Sequence, residues 1–214
     1  MQAPARGVEA PAGSRGFTLI ELFVVLAVLA VAMGLGIPAI QNLIVRSKTE
    51  GFAREAGVLM QRTRLEAIRM NRDGVVHLDT GNRQLVAFID ADRDGTFNPN
   101  PGAPFRTADY VLARLDLPAS VEFREPGGGT GAVSVDGLSQ VSVDGAALPA
   151  ALFRSDGSVA AVGAIRVADA RDNFVEIRVE PEATGRVQVR KWQDNEWLAS
   201  VDPGAETPKP WKWN

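Results

Sequence analysis

The chain contains no cysteine and a single histidine, His77, among 214 residues. Disulfides, thiolate metal centres and a cysteine nucleophile are thereby excluded. One imidazole cannot build a histidine metal cage. A serine triad would have to form around His77, yet no serine and acid stand near it in a recognisable order. Basic excess is missing too. Lysine and arginine number 23 against 26 acidic side chains, a formal net charge of −3. No global field draws a polyanion, so nucleic-acid binding would need a local basic patch. What is present suits a packed protein: 45% hydrophobic and 23% charged residues leave enough apolar side chain for a core. The length suits one compact domain with an appendage, or two small domains. Acidic pairs such as Glu122 and Glu125 fall in surface strands and turns, and no enzyme is expected.

The one long hydrophobic run is FTLIELFVVLAVLAVAMGLGI, from Phe17 to Ile37, closed by Pro38. Residues 1–16 before it are small and polar, with Arg6 and Arg15 against Glu9. A bilayer core needs about 20 apolar residues of helix, a length the run reaches only if Phe17–Glu21 are included. A secretory signal peptide has a shorter core followed by a small-residue cleavage site, which Ala32, Gly34 and Gly36 match weakly. A plain membrane anchor accounts for the hydrophobicity. Neither reading explains Glu21, a carboxylate just inside the run. Charge in hydrocarbon is costly and is usually paired or functional.

Gly16-Phe17-Thr18-Leu19-Ile20-Glu21, preceded by Arg15 and followed by the apolar run, resembles the cleavage and methylation motif of type IV prepilins and pseudopilins. The resemblance implies that residues 1–16 are a leader, cut by a prepilin peptidase between Gly16 and Phe17. It implies N-methylation of Phe17 and an assembly salt bridge from Glu21 to the Phe17 amine of a neighbouring subunit. Such a pair would set axial register, because an unpaired carboxylate in a buried setting is heavily penalised. Arg6 and Arg15 place the leader on the cytoplasmic side of the inner membrane. The rest of the chain is then expected in the periplasm.

Pro38 is expected to kink the helix, with Gly34 and Gly36 weakening it nearby. Residues 17–37 read as the transmembrane and assembly helix, and 38–73 as its amphipathic continuation. Phe52, Ala56, Leu59, Thr63 and Ala67 recur there at helical spacing, opposite Arg54, Glu55, Arg62 and Arg69. Asn71-Arg72-Asp73-Gly74 carries stop chemistry. Short strand patterns follow: 75–78, 84–89, 110–115, 120–124, 132–135, 140–143, 151–154, 165–167, 174–179 and 186–192. Strand after strand with no helix between predicts an α+β fold. A long N-terminal helix packs on an antiparallel β-sheet or sandwich domain over 74–192, with a tail over 193–214. The stretch Arg64–Arg72, the run Phe153–Ser158 and the closing Gly185–Arg190 resemble the GspH/FimT family of pseudopilins.

Two further patterns suggest ligands. Asp90, Asp92 and Asp94, followed by Gly95, have the spacing that opens a calcium loop, but its twelfth position is Pro101 where a bidentate glutamate belongs. Asn98 or Asp109 could compensate; otherwise this is a solvated acidic turn. Calcium is the only cofactor suggested. Arg186 and Arg190, with Trp192, Trp197, Trp211 and Trp213 nearby, have the composition of a single-strand nucleic-acid platform, or of an edge strand with alternating basic residues. The family resemblance implies a minor pseudopilin near the tip of a type II secretion pseudopilus. Its partners would be the prepilin peptidase, other pseudopilins or pilins in a filament, the inner membrane and secreted cargo. The alternative is a FimT-like minor type IV pilin that primes a pilus or binds DNA for uptake.

Overall fold

The computed structural model describes residues 17–98, 108–127 and 135–199, except the side chains of residues 35–39. The leader with Gly16, the glycine-rich stretch 128–131, Pro101, Trp211 and Trp213 lie outside the described residues. Two compact units are present, Met1–Asn42 and Leu43–Asn214. One helix, α1 (Leu19–Met70), contributes to both, and helical backbone is assigned through Pro38.

In the first unit, the side chains of Phe17 to Gly34 are all exposed. A helix that is apolar all round has no face to turn toward water, so a cover of lipid or other helices is its stable setting. Among the described residues, no helix is long and apolar enough to cross a membrane. Of the span expected over 17–37, positions 35–37 have no described side chain.

In the second unit, α1 behaves as the 3.6-residue pattern predicts. Phe52, Ala53, Ala56, Leu59, Met60, Thr63 and Ala67 are buried, and Arg54, Glu55, Arg62 and Arg69 are exposed. The end is a double hydrogen-bonded cap. Asn71 takes a positive φ of 50°; its N–H donates to Ile68 O, and the Arg72 N–H donates to Ala67 O.

Among the described residues twelve strands follow: β1 (Gly74–Asp79), β2 (Gln84–Ile89), β3 (Thr96–Phe97), β4 (Tyr110–Asp116), β5 (Val121–Phe123), β6 (Val135–Asp136), β7 (Ser139–Val143), β8 (Ala146–Phe153), β9 (Gly163–Asp169), β10 (Phe174–Val179), β11 (Val187–Gln193) and β12 (Glu196–Ala199). The first sheet runs β3-β7-β8-β1-β2-β4; the second runs β12-β11-β10-β9-β5, with β6 also on β9. Every pairing is antiparallel except β3 with β7. The main core holds the buried helix residues, Val76, Leu78, Leu85 and Ala87 of the first sheet, and Ile165, Val167, Val175 and Ile177 of the second. Each Val, Leu, Ile, Phe or Met among them contributes about 1.5–3 kcal/mol by leaving water, and each Ala less. The other face of the first sheet carries a second cluster, including Val75, Val86, Phe88, Phe97 and Val141.

Turn chemistry explains most strand boundaries. Asp79 closes β1 and accepts hydrogen bonds from the Asn82 N–H, Asn82 Nδ2 and Gln84 Nε2 at 2.8–3.0 Å. Asp144 and Gly145 both have positive φ, so a two-residue hairpin joins β7 to β8. That hairpin starts β8 earlier than the sequence pattern over 151–154. Pro149 lies just past the β1 ladder, which ends at Ala150, so its missing N–H leaves no gap there. Asp194 and Asn195, also at positive φ, turn β11 into β12. The β-domain therefore continues beyond Trp192, into the region read from sequence as tail.

His77 lies on the second-cluster face, 4% exposed, stacked on Phe88 with ring centroids 5.1 Å apart. Its Nδ1 has no hydrogen-bond partner among the described residues. Burial pushes the imidazole below its ordinary value, partly opposed by the Asp79 charge. The unfolded chain then takes the proton first, so stability is lost as pH falls through the ordinary imidazole range. A His77→Phe variant is expected to keep its melting temperature between pH 7 and 5 while the wild type loses ground. Parallel slopes would refute this.

Candidate functional site

The apolar segment begins with a local cap. The Thr18 side-chain oxygen accepts the Glu21 backbone N–H at 3.2 Å, and Thr18 O accepts the Leu22 N–H. Thr18 is thus the N-cap of α1, and Glu21 stands in its first turn, where the helix dipole favours an anion. Thr18-x-x-Glu21 is also capping-box spacing, a second reason for this carboxylate that the membrane argument passes over. The Glu21 side chain is exposed and has no partner among the described residues. Phe17, 84% exposed, precedes the helix. A carboxylate therefore sits in the first turn of a helix whose neighbouring side chains, from Leu22 to Met33, are apolar. That arrangement can offer an anion to a cation arriving from another molecule.

The acidic stretch folds as a tight turn after β2. Carboxylate oxygens of Asp90, Asp92, Asp94 and Asp109 lie within 4.8 Å of one another. Of the two candidates for the missing ligand, Asp109 supplies the carboxylate; Asn98 donates its backbone N–H to Asp109 Oδ2 at 2.9 Å. Asp109 Oδ1 accepts the Ala91 N–H, and Asp90 accepts the Arg93 and Gly95 N–H groups. Asp90 and Asp109 are buried, and burial raises both carboxyls above the ordinary range. An all-oxygen set of this kind suits a hard cation such as calcium. Calorimetric titration separates the two sequence readings. Heat that Asp109→Ala abolishes means coordination, and no heat at millimolar calcium means a solvated turn.

The basic residues of the second sheet are already engaged. Glu176 is fully buried on β10, with Arg166 Nε at 2.9 Å and Arg178 Nε at 2.8 Å. Asp136 bridges the same two guanidiniums at 2.9 Å. Arg190 pairs with Glu180. Trp192 and Trp197 face each other across β11 and β12, edge to face at 5.1 Å, and Arg166 lies over the Trp197 ring. Arg186 is exposed at the start of β11. Of the two arginines read as DNA contacts, Arg190 is thus spent on a carboxylate and Arg186 is turned to solvent.

The prokaryotic N-terminal methylation motif matches residues 12–37. Pilin-like protein PilA1 of Thermus thermophilus is 33% identical over 106 residues, covering 48% of this chain and 67% of the relative. The chain belongs to the pilin-like proteins. The crystal structure of the type IV minor pilin FimU of Pseudomonas aeruginosa covers 71% of this chain and 93% of its own, at 12% identity and a TM-score of 0.38.

In this pilin-like protein, three distant sequence segments converge behind α1. Arg64 Nε donates to Gly157 O at 2.7 Å. Gly157 takes φ +85°, and a Cβ there would stand 2.7 Å from Ile68 Cδ1. A Cβ on Gly185 would stand 2.9 Å from Gly157 O. The segments around Arg64, Gly157 and Gly185 are the ones singled out by sequence, and their contact is structural. Gly157→Ala is expected to lose about 1–3 kcal/mol, from strain at positive φ and the clash with Ile68. Urea unfolding would show it, and an unchanged midpoint would contradict the packing.

Proposed function

We propose that this pilin-like protein is a minor pseudopilin of a type II secretion system, of the GspH/FimT kind, placed near the tip of a short periplasmic filament. The observation that carries the reading is a methylation-motif segment in which every side chain from Phe17 to Gly34 is exposed, with one carboxylate, Glu21, in the first turn of the helix. Prepilin peptidase would cut between Gly16 and Phe17, and Phe17 would be methylated. The inner membrane would hold the helix of each waiting subunit, and neighbouring helices would cover it in the filament. Pro38 would be the point at which the helix bends to pack. Glu21 would pair with the Phe17 amine of an adjacent subunit. The β-domain, outside the cytoplasm, would meet other minor subunits or cargo.

A second reading, a FimT-like minor pilin acting in pilus priming or DNA uptake, draws on one observation: Arg186 is exposed where the last long strand begins. Ion pairing of Arg190 with Glu180 weakens it. A clean gene deletion, scored in one strain for exoprotein export, surface pili and DNA uptake, separates the two. Lost export with pili and uptake intact supports the secretion role. Lost uptake or pili with normal export assigns the protein to the pilus.

A further inference from the structure

The first sheet ends on β4, which pairs with β2 alone among the described residues. The other terminal strands are short: two residues in β3, three in β5 and four in β12, against seven in β4. Among the described residues, β4 is the terminal strand with a ladder long enough for another strand. Its neighbours β1 and β2 are almost wholly buried, yet Tyr110 to Ala113 and Leu115 of β4 are half-exposed. Edge strands are commonly guarded by charge, proline or brevity. Here Arg114 is the one charge before the terminal Asp116.

The edge also forms one wall of a groove. The opposite wall is the outer face of α1, where Val58 is 65% and Leu65 is 61% exposed. Between them lies a cleft of about 350 Å³ lined by Arg54, Val58, Leu59, Arg62, Arg114 and Leu115. Glu55 also borders it. Val58, Leu59 and Leu115 make an apolar floor. Arg54 pairs with Glu50 at 3.2 Å. Arg62 on α1 and Arg114 on β4 have no ion pair or hydrogen bond among the described residues. Arg62 and Arg114 thus line an apolar cleft beside a strand edge that no described strand covers.

We propose that this groove receives an extended polypeptide segment with alternating apolar and acidic side chains, added to the sheet along β4. The incoming backbone pairs with the N–H and C=O groups of β4 that face away from β2. Apolar side chains on one side of the added strand cover Val58 and Leu115, because alternate residues of a strand share a face. Carboxylates at the rim meet Arg62 and Arg114. An amphipathic helix would fill the cleft but leave the ladder open, and a basic segment would be repelled.

The test uses the full chain in detergent micelles and a fluorescent peptide of about seven residues that alternates glutamate with valine and leucine. Anisotropy titration is expected to give roughly tenfold tighter binding than for the lysine counterpart. The R62E/R114E double variant, checked by circular dichroism and melting, is expected to reverse that preference. Methylating the backbone nitrogens along one edge of the peptide is expected to abolish binding. Equal affinity for the two peptides, no binding at about millimolar peptide, or undiminished binding of the N-methylated peptide overturns the proposal. So does a Val58-dependent self-association, which would make a second copy the occupant. Binding to anionic vesicles that R62E/R114E abolishes, with no peptide bound, assigns the groove to a lipid surface and overturns it likewise.

Discussion

Glu21→Ala is expected to be cut and methylated like the wild type, yet to be absent from assembled filaments. The substitution removes a carboxylate that has no partner within the described chain, while Thr18 still caps the helix through its own side-chain oxygen. Loss of the first-turn anion costs only about 0.3–1 kcal/mol of dipole energy, too little to unfold the helix. Processing, which depends on the residues around Gly16, is therefore spared. Assembly is different: in the proposed pairing the carboxylate would compensate a neighbour's amine in apolar surroundings, and deleting one partner of such a pair costs about 3–5 kcal/mol. That is a loss of more than a hundredfold in incorporation. Immunoblots of sheared filaments and membranes measure it; normal amounts of Glu21→Ala in the filament fraction would end the salt-bridge reading. Glu21→Gln, which keeps the shape and loses the charge, is expected to fail as well. A Gln variant that assembles would make the cap, rather than the charge, the function of this position.

Glu176→Ala is expected to give the largest loss of fold stability. Glu176 is fully buried beneath Arg166 and Arg178, whose side chains are 15% and 17% exposed. Removing the carboxylate leaves two poorly solvated guanidiniums bridged by Asp136, itself 46% exposed, with the partly exposed Glu125 still on Arg166 and Glu180 near Arg178. Breaking a buried pair from one side costs about 3–5 kcal/mol, far more than the 0–1 kcal/mol of an exposed pair. At this chain length the melting temperature should fall by roughly 10 °C. Glu176→Gln keeps one acceptor and should lose less. Arg54→Ala breaks an exposed pair with Glu50 and serves as the control, with little change expected. A Glu176→Ala variant that melts with the wild type would mean that the network is solvated in solution.

Much of the architecture was legible because it rests on local signals. Phe52, Ala56, Leu59 and Ala67 at helical spacing predicted the buried face of α1, and Asn71 predicted its end. The boundaries of β2 and β10 agree with their sequence pattern, since β-branched and aromatic residues bounded by turns carry that information. β3, a two-residue strand, and β12 were not foreseen. β3 is defined only by a parallel partner far along the chain, β7. β12 follows from the Asp194-Asn195 turn, a weaker hairpin signal in sequence than Asp144-Gly145. The acidic turn was visible as Asp90, Asp92 and Asp94. Which distant oxygen would join them was open, because Asp109 reaches the cluster only through the chain's return into β4.

The sequence by itself determined the class of protein. A contiguous motif around Gly16, Phe17 and Glu21 and the apolar run behind it are properties of neighbouring residues, and no tertiary contact is needed to read them. The apolar stripe of α1 and the alternation of strands that made the fold α+β are local in the same sense. The tertiary structure alone decided how charge is spent. Arg190 looks available in sequence and is paired with Glu180, whereas Arg62 and Arg114, unremarkable in sequence, have no ion pair or hydrogen bond among the described residues and lie beside a strand edge that no described strand covers. The physical reason is range. Periodicity and capping act within a few residues, but the partner of a guanidinium is set by which strands lie side by side, and that depends on packing the whole chain.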